Sequence, residues 1–255
     1  LPGHGGSEPL PAGFGLAPFA DRVALCAERE AMLPACLVGH SLGGAIALRL
    51  ALRRPESVSA LVLAAAAGLS SSSVRARAGL AVLGFLRPSR FAARYRDHIA
   101  ETPRLKRLVF RMLAGDTAAL SAAGVHGFLA GSELVTDLPT AADGLFAEDA
   151  RTELDTLRCP AFVLWGARDW FLPVEDGFEY ARRLGAPLRV LADTGHLLIA
   201  ERPEQCASLI ETFLDGVRQV EELPLEAEAI GQLRGQRLNA ERLGRVVPRG
   251  HEVQT

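Results

Sequence analysis

Three polar residues, widely separated in the sequence, have the chemical types and the surroundings that nucleophilic catalysis requires. Ser41 lies in a Gly-x-Ser-x-Gly turn, and Asp169 and His196 each come shortly after an apolar run of strand length. A hydroxyl, an imidazole and a carboxylate in contact can transfer an acyl group through a covalent serine intermediate. The sequence therefore predicts Ser41 as nucleophile, His196 as base and Asp169 as the acid that orients the imidazole.

The residues around Ser41 predict a sharp turn between a strand and a helix. An apolar run at 36–38 precedes the turn, and an alanine-rich segment follows it. We expect Ser41 to have a strained backbone, with no Cβ atom at Gly39 or Gly43 to clash there. Gly44 is expected to let the helix pack close to the sheet.

The start of the predicted helix offers a place for the negative charge that develops during acyl transfer. Leu42 is the first helical residue after Ser41, and its N–H is the predicted oxyanion donor because a helix N-terminus carries free N–H groups. The simpler alternative is a serine in a glycine-rich turn without a catalytic role, since Gly-x-Ser-x-Gly also occurs by chance.

Other residues compete for the roles of acid and base. Asp193 and Glu201 are alternatives to Asp169, although Asp193 is only three residues from His196 and is poorly placed to orient its Nδ1. His40 flanks the nucleophile, and its side chain is expected to point away from the substrate. The remaining histidines have no comparable position after a strand: His4, His98, His126 and His251.

Strand patterns alternate with helical patterns along much of the chain. The predicted strands are 36–38, 58–64, 161–165 and 188–191, and the helices between or around them include 19–33, 174–184 and 203–217. In the first of these helices, apolar residues repeat every four positions from Phe19 to Ala31. Such alternation predicts an α/β fold with a parallel sheet whose faces are covered. The three candidate residues then meet at the carboxyl ends of the strands, where open parallel sheets bind ligands.

A central segment without strand-like runs, 69–156, predicts a helical lid inserted into this core. Its clearest helix begins at Thr102-Pro103, with an apolar face expected from Leu105, Leu108, Val109, Met112 and Leu113. An ordinary helical second domain is the alternative. The predicted core is 1–68 with 157–217, and 218–255 is expected to be an added helix or tail without a chemical role.

Composition narrows the classes of function. The 255 residues are 49% hydrophobic with a net charge of −2, so nothing suggests a nucleic-acid partner or an anionic membrane. No apolar run reaches membrane-spanning length. The four cysteines are Cys26, Cys36, Cys159 and Cys206. They lack CxxC spacing and lie in apolar segments, which predicts buried free thiols, no metal site and a cytoplasmic location. Oligomeric state is left open.

Four stretches resemble the α/β-hydrolase fold-1 family, whose members have the order nucleophile, acid, histidine. They are Gly39-His40-Ser41-Leu42-Gly43-Gly44, Leu164-Trp165-Gly166-x-x-Asp169 with Pro173, Gly195-His196-x4-Glu201-x-Pro203, and Leu1-Pro2-Gly3-His4-Gly5-x-Ser7. The resemblance covers 1–217. It implies a serine hydrolase with a helical lid over an acyl pocket and no cofactor.

The resemblance begins after the first strands that members of that family have. Members have three or four strands ahead of the loop matched by 1–7, so the fold is expected to be N-terminally truncated and the strand before Ser41 to lie near a sheet edge. The absent part carries the second oxyanion N–H. His4-Gly5-Gly6 is not that loop, because a single helix separates it from the strand before Ser41. The chain is therefore expected to be a weak catalyst.

Two classes of function follow. The first is a serine hydrolase acting on a small apolar carboxylic ester, with carbon–carbon bond hydrolases, cofactor-free haloperoxidases and acyltransferases as alternatives within the family. A haloalkane dehalogenase is disfavoured because its nucleophile is an aspartate where this chain has Ser41. The second class is a truncated, inactive hydrolase-like binding module.

Overall fold

The computed structural model describes residues 1–4, 6–10, 14–69, 92–134, 141, 143–145 and 150–221. The chain divides into two compact units, Leu1–Leu214 and Asp215–Thr255. Residues 215–221 of the second unit are described, as the end of a helix. Parts of the predicted lid and residues 222–255 of the predicted tail lie outside the described residues, so the predicted domain boundaries remain predictions.

A four-stranded parallel sheet forms the centre of the first unit. Its strands are β1 (Ala35–His40), β2 (Val58–Ala64), β3 (Ala161–Gly166) and β4 (Leu188–Leu191), in the spatial order β1-β2-β3-β4. All four were expected from the sequence, although β1 and β3 extend beyond the predicted bounds. Because every strand runs in the same direction, the residues that follow the strands lie at one edge of the sheet.

Burial differs between the inner and the outer strands. β3 is buried throughout and β2 nearly so, as expected for strands covered on both faces. In β1, Val38 is 49% exposed, and in β4 Arg189 and Val190 are exposed. Among the described strands β1 is an edge strand, as expected for the strand before Ser41, and its residues are therefore less covered than those of β2 and β3.

The helices lie between and beyond the strands. The helices with described bounds are α1 (Leu16–Arg29), α2 (Leu42–Arg53), α3 (Arg96–Glu101), α4 (Pro103–Phe110), α5 (Ala122–Leu134), α6 (Val174–Leu184), α7 (Leu198–Glu201) and α8 (Pro203–Glu221). Short 3₁₀ turns occur at Pro55–Ser57, Ala150–Thr152 and Leu154–Thr156. The described part of the chain has no helix that is both long and apolar enough to cross a bilayer.

The buried face of α1 differs from the predicted one. The sequence suggested a repeat of every four residues from Phe19 to Ala31, but the helix ends at Arg29 and Ala31 has a φ of 53°. A strict four-residue repeat drifts around a helix of 3.6 residues per turn. The residues that pack into the core instead have the i, i+3, i+4, i+8 spacing of one helix face: Leu16, Phe19, Ala20 and Ala24.

Helices α3, α4 and α5 share a hydrophobic cluster that is separate from the main core around the sheet. Phe110 at the end of α4 is fully buried in it, whereas Leu108 is 63% exposed and Met112 is 39% exposed. The predicted apolar face of α4 is thus wrong at these two positions. Lys106, also on α4, donates a hydrogen bond to the carbonyl oxygen of Leu120 at 2.9 Å.

All four cysteines are free thiols, as predicted, but their expected burial is mostly wrong. Cys206 is buried, and burial raises the pKa of its thiol to about 11. Cys36 and Cys159 are half-buried, and Cys26 is exposed on α1. An apolar neighbourhood in sequence did not ensure burial, because α1 turns only one face to the core.

Candidate active site

Ser41 is the single residue that joins β1 to α2. Its backbone has φ 54° and ψ −121°, a conformation that L-residues rarely adopt and that must be held by its surroundings. The Ser41 N–H donates to the carbonyl oxygen of Ala64 at 3.1 Å, and the Ala67 N–H donates to that of Ser41 at 3.0 Å. The end of β2 and the segment just after it therefore hold the turn in place.

Two glycines allow this turn and the helix after it. A Cβ atom at Gly39 would lie 2.5 Å from the carbonyl oxygen of Gly43, and one at Gly44 would lie 2.5 Å from the Cβ of Ala66. The predicted close packing at Gly44 is confirmed. The prediction that Gly43 avoids a clash is wrong, because a Cβ atom there would meet no atom within 4 Å.

The three predicted residues form one chain of hydrogen bonds. Nε2 of His196 lies 2.9 Å from Oγ of Ser41, and Nδ1 of His196 lies 2.8 Å from Oδ2 of Asp169. A carboxylate only accepts hydrogen bonds, so Nδ1 carries a proton and Nε2 of the neutral imidazole accepts from the Ser41 hydroxyl. The side chain of His196 is 9% exposed and that of Asp169 is fully buried.

The second oxygen of Asp169 holds its own loop. Oδ1 accepts hydrogen bonds from the N–H groups of Phe171 and Leu172, both at 2.9 Å. Oδ2 is thereby directed to His196. The ring of Phe171 also lies 5.7 Å from the imidazole of His196, centroid to centroid.

The competing acids bind elsewhere. Asp193 is exposed and forms an ion pair with Arg168. Glu201 accepts hydrogen bonds from the N–H groups of Gly195 and Asp116. Among the alternatives, the carboxylate in contact with His196 is that of Asp169.

The side chain of His40 is hydrogen-bonded to the backbone of His196. Its Nε2 donates to the carbonyl oxygen of His196 at 2.7 Å, and the two rings are 4.9 Å apart. Desolvation, together with the nearby His196, lowers the pKa of His40 to about 4, so this imidazole is neutral at neutral pH. Sequence reasoning missed this contact, because position beside Ser41 says nothing about a partner 156 residues away.

Leu42 and the remaining histidines lie outside this chain of hydrogen bonds. Leu42 is the first residue of α2, so its N–H has no acceptor within the helix. His4 donates from Nδ1 to the carbonyl oxygen of Pro2 at 2.9 Å, and His98 and His126 lie on α3 and α5. His251 lies outside the described residues. Within the described ranges, no group of three or more His, Cys, Asp or Glu side chains is arranged to hold a metal ion.

The model of the alpha/beta hydrolase family matches residues 1–209. A pimeloyl-(acyl-carrier protein) methyl ester esterase of Neisseria meningitidis serogroup B is 32% identical over 219 residues, which cover 85% of this chain and 81% of the esterase. The dihydrolipoyllysine-residue acetyltransferase component of the acetoin cleaving system of Cupriavidus necator is 29% identical over 85% of this chain. The chain spans about half of that relative, 55% of its length.

A solved structure, the enol-lactonase of Burkholderia xenovorans LB400, has the same fold with a TM-score of 0.62 and 22% identity. The similarity covers 84% of this chain and 78% of the lactonase. Ser41, Asp169 and His196 all lie within the range that the family model matches.

Proposed function

Because the chain belongs to the alpha/beta hydrolase family, we propose that Ser41, His196 and Asp169 are a catalytic triad that hydrolyses a carboxylic ester. The observation that carries this proposal is the continuous hydrogen-bond chain, with 2.9 Å between Ser41 and His196 and 2.8 Å between His196 and Asp169. The turn at Ser41 is proposed to be a nucleophile elbow, supported by its φ of 54° between β1 and α2.

The proposed reaction has two steps. Oγ of Ser41 attacks the carbonyl carbon while Nε2 of His196 takes the hydroxyl proton, and the imidazolium returns that proton to the leaving alcohol. Water then attacks the acyl-enzyme with His196 again as base, which releases the acid and restores Ser41. Asp169 keeps Nδ1 protonated and stabilises the imidazolium throughout.

We assign the N–H of Leu42 as an oxyanion donor. Support comes from its position at the first turn of α2, where N–H groups are free and the helix dipole favours negative charge. One such donor typically contributes about a hundred- to thousand-fold in rate.

The ester class and the lid are part of the same proposal. A carboxylic ester is favoured because the 32% identical relative is named as a methyl ester esterase, and a small apolar ester remains the substrate proposed from the sequence. The segment 69–156 is proposed as the lid on a core of 1–68 and 157–217, supported by the separate hydrophobic cluster of α3, α4 and α5. A cytoplasmic location remains a prediction from the free cysteines.

Hydrolysis of p-nitrophenyl acetate by the 255-residue chain tests the proposal. Ser41→Ala is expected to lower kcat at least about a thousandfold, because the nucleophile is lost while the fold is kept. Ser7→Ala, a change of the same type at an exposed position, serves as the control and should keep the wild-type rate. Equal rates for wild type and Ser41→Ala would refute catalysis by Ser41.

A further inference from the structure

Glu201 has a buried carboxylate that the proposed chemistry does not use. The residue is 3% exposed and lies at the end of α7, five positions after His196. Its Oε1 accepts a hydrogen bond from the N–H of Gly195 at 2.9 Å, and its Oε2 accepts one from the N–H of Asp116 at 2.8 Å. One carboxylate thus bridges the loop that carries His196 and the segment 113–116 that follows α4.

The two bridged segments are in direct backbone contact. The N–H of Leu197 donates to the carbonyl oxygen of Leu113 at 3.0 Å. A Cβ atom at Gly195 would lie 2.4 Å from the nitrogen of Gly115, so only glycine fits at this approach. The residues on both sides of His196 are therefore bonded to other parts of the structure, Gly195 through Glu201 and Leu197 directly.

Hydrogen bonds offset part of the cost of burying the Glu201 carboxylate. Burial raises the pKa of Glu201, whereas the N–H groups of Asp116 and Gly195 act in the opposite direction. Arg202 is bonded to the carboxylate of Asp116 at 3.3 Å, which places a cation beside the same segment. Loss of the Glu201 carboxylate would leave the buried N–H of Gly195 and the half-buried N–H of Asp116 without this acceptor, and a buried group without a partner is costly.

We propose that Glu201 is a positioning residue for His196. Its carboxylate holds the peptide before His196 and the segment 113–116 in one arrangement, so that the imidazole stays aligned between Ser41 and Asp169. The proposal rests on the proposed function of these three residues. A small displacement of a catalytic group is sufficient to slow a reaction that depends on hydrogen-bond geometry.

Substitutions in the 255-residue chain test this role. Glu201→Gln keeps the length and one acceptor oxygen but directs an amide NH₂ at the other donor, and Glu201→Ala removes both acceptors. We expect kcat, per Ser41 titrated with a fluorophosphonate, to fall about tenfold in the first and about a hundredfold in the second, with KM within about twofold. Amide exchange at Gly195 and Asp116, measured by NMR, should accelerate at least about tenfold in both.

Glu204→Gln is the matched control, since Glu204 is exposed at the start of α8. It should keep wild-type kcat, KM and exchange rates. If Glu201→Gln has wild-type kcat per titrated site, the proposal is overturned even when its melting temperature falls, because the residue then acts on stability alone.

A failure of the proposed function gives a different result. In that case the wild-type chain neither hydrolyses the ester nor reacts with the fluorophosphonate. Amide exchange then still decides the positioning role, and unchanged exchange at Gly195 in both variants overturns it.

Discussion

The two oxygens of Asp169 have separate tasks. Oδ1 holds the loop through the N–H groups of Phe171 and Leu172, and Oδ2 accepts from Nδ1 of His196. The first contact fixes where the carboxylate lies, and the second fixes which imidazole nitrogen is protonated. The chemical role proposed for Asp169 therefore depends on a local structure that it stabilises itself.

Asp169→Asn separates these tasks. The amide oxygen can still accept from the loop N–H groups, but its NH₂ group faces Nδ1 and favours the tautomer protonated on Nε2, which cannot accept the Ser41 proton. We expect kcat for ester hydrolysis to fall about a thousand- to ten-thousand-fold with little loss of stability. Asp193→Asn is the control and should keep the rate within about twofold; similar losses in both variants would contradict the assignment.

The neutral imidazole of His40 makes stability depend on pH. In an unfolded chain the pKa of histidine is near 6.5, whereas folding lowers that of His40 to about 4. Between these values the unfolded state binds more protons, so the free energy of unfolding falls as the pH falls from 6.5 towards 4. The contact to His196 is thus fully favourable only above this range.

His40→Gln should reduce this pH dependence. The glutamine NH₂ can replace Nε2 as donor to the carbonyl oxygen of His196, but it does not titrate. Between about pH 7 and pH 4.5 we expect wild type to lose on the order of 1–3 kcal/mol more than the variant. Denaturant unfolding at several pH values measures the difference, and identical slopes for the two proteins would rule out this origin.

At the scale of elements, the distance between α2 and the sheet depends on the residues on one side of the helix. Gly44 lies against Ala66, just after β2, whereas Gly43 faces open space. Packing against the sheet therefore requires glycine at position 44 but not at position 43, although the motif contains both.

Alanine at each position tests this difference. Gly44→Ala should lower the free energy of unfolding by about 1–3 kcal/mol, because its Cβ overlaps Ala66 and forces α2 away from β2. Gly43→Ala should be neutral or stabilise by roughly 0.5–1 kcal/mol, because alanine favours helix. Urea unfolding monitored by circular dichroism compares them, and equal effects would contradict the packing described at Gly44.

At the scale of the whole molecule, the parallel sheet places the candidate site at the carboxyl ends of its strands. The same sheet leaves β1 as a partly exposed edge strand among the described residues. Residues after β1, β3 and β4 meet in the hydrogen-bond chain of Ser41, Asp169 and His196. Across the described residues β1 pairs with β2 alone, as expected for a strand at the sheet edge. A groove of about 610 Å³ lies beside it, lined mostly by apolar side chains of α1, β1 and the first loop.

An exposed apolar edge strand promotes association of chains, so a charge on β1 should reduce it. We predict that Val38→Glu, at a position 49% exposed, slows aggregation on warming several-fold with little change in unfolding free energy. Met32→Glu adds the same charge outside the strand at a position 62% exposed and should have a smaller effect. Light scattering measures both, and equal protection would show that net charge alone acts.

The α/β-hydrolase fold predicted from the sequence is confirmed by the family match and by the parallel sheet. The strands could be predicted because β2 and β3 are buried on both faces and so consist of continuous apolar runs. Burial on α1 and α4 was predicted less well. A helix shows only part of its surface to the core, and which part depends on the neighbours that pack against it.

The sequence by itself determined the strands, the turn around Ser41 and the order of the three candidate residues. Each strand, the turn and the surroundings of each candidate residue depend on a few adjacent positions. The tertiary structure alone decided which carboxylate reaches His196, that His40 binds its carbonyl oxygen and that Glu201 bridges Gly195 to Asp116. The physical reason is that these hydrogen bonds join groups distant along the chain, and only the packed sheet and helices set the distances between them.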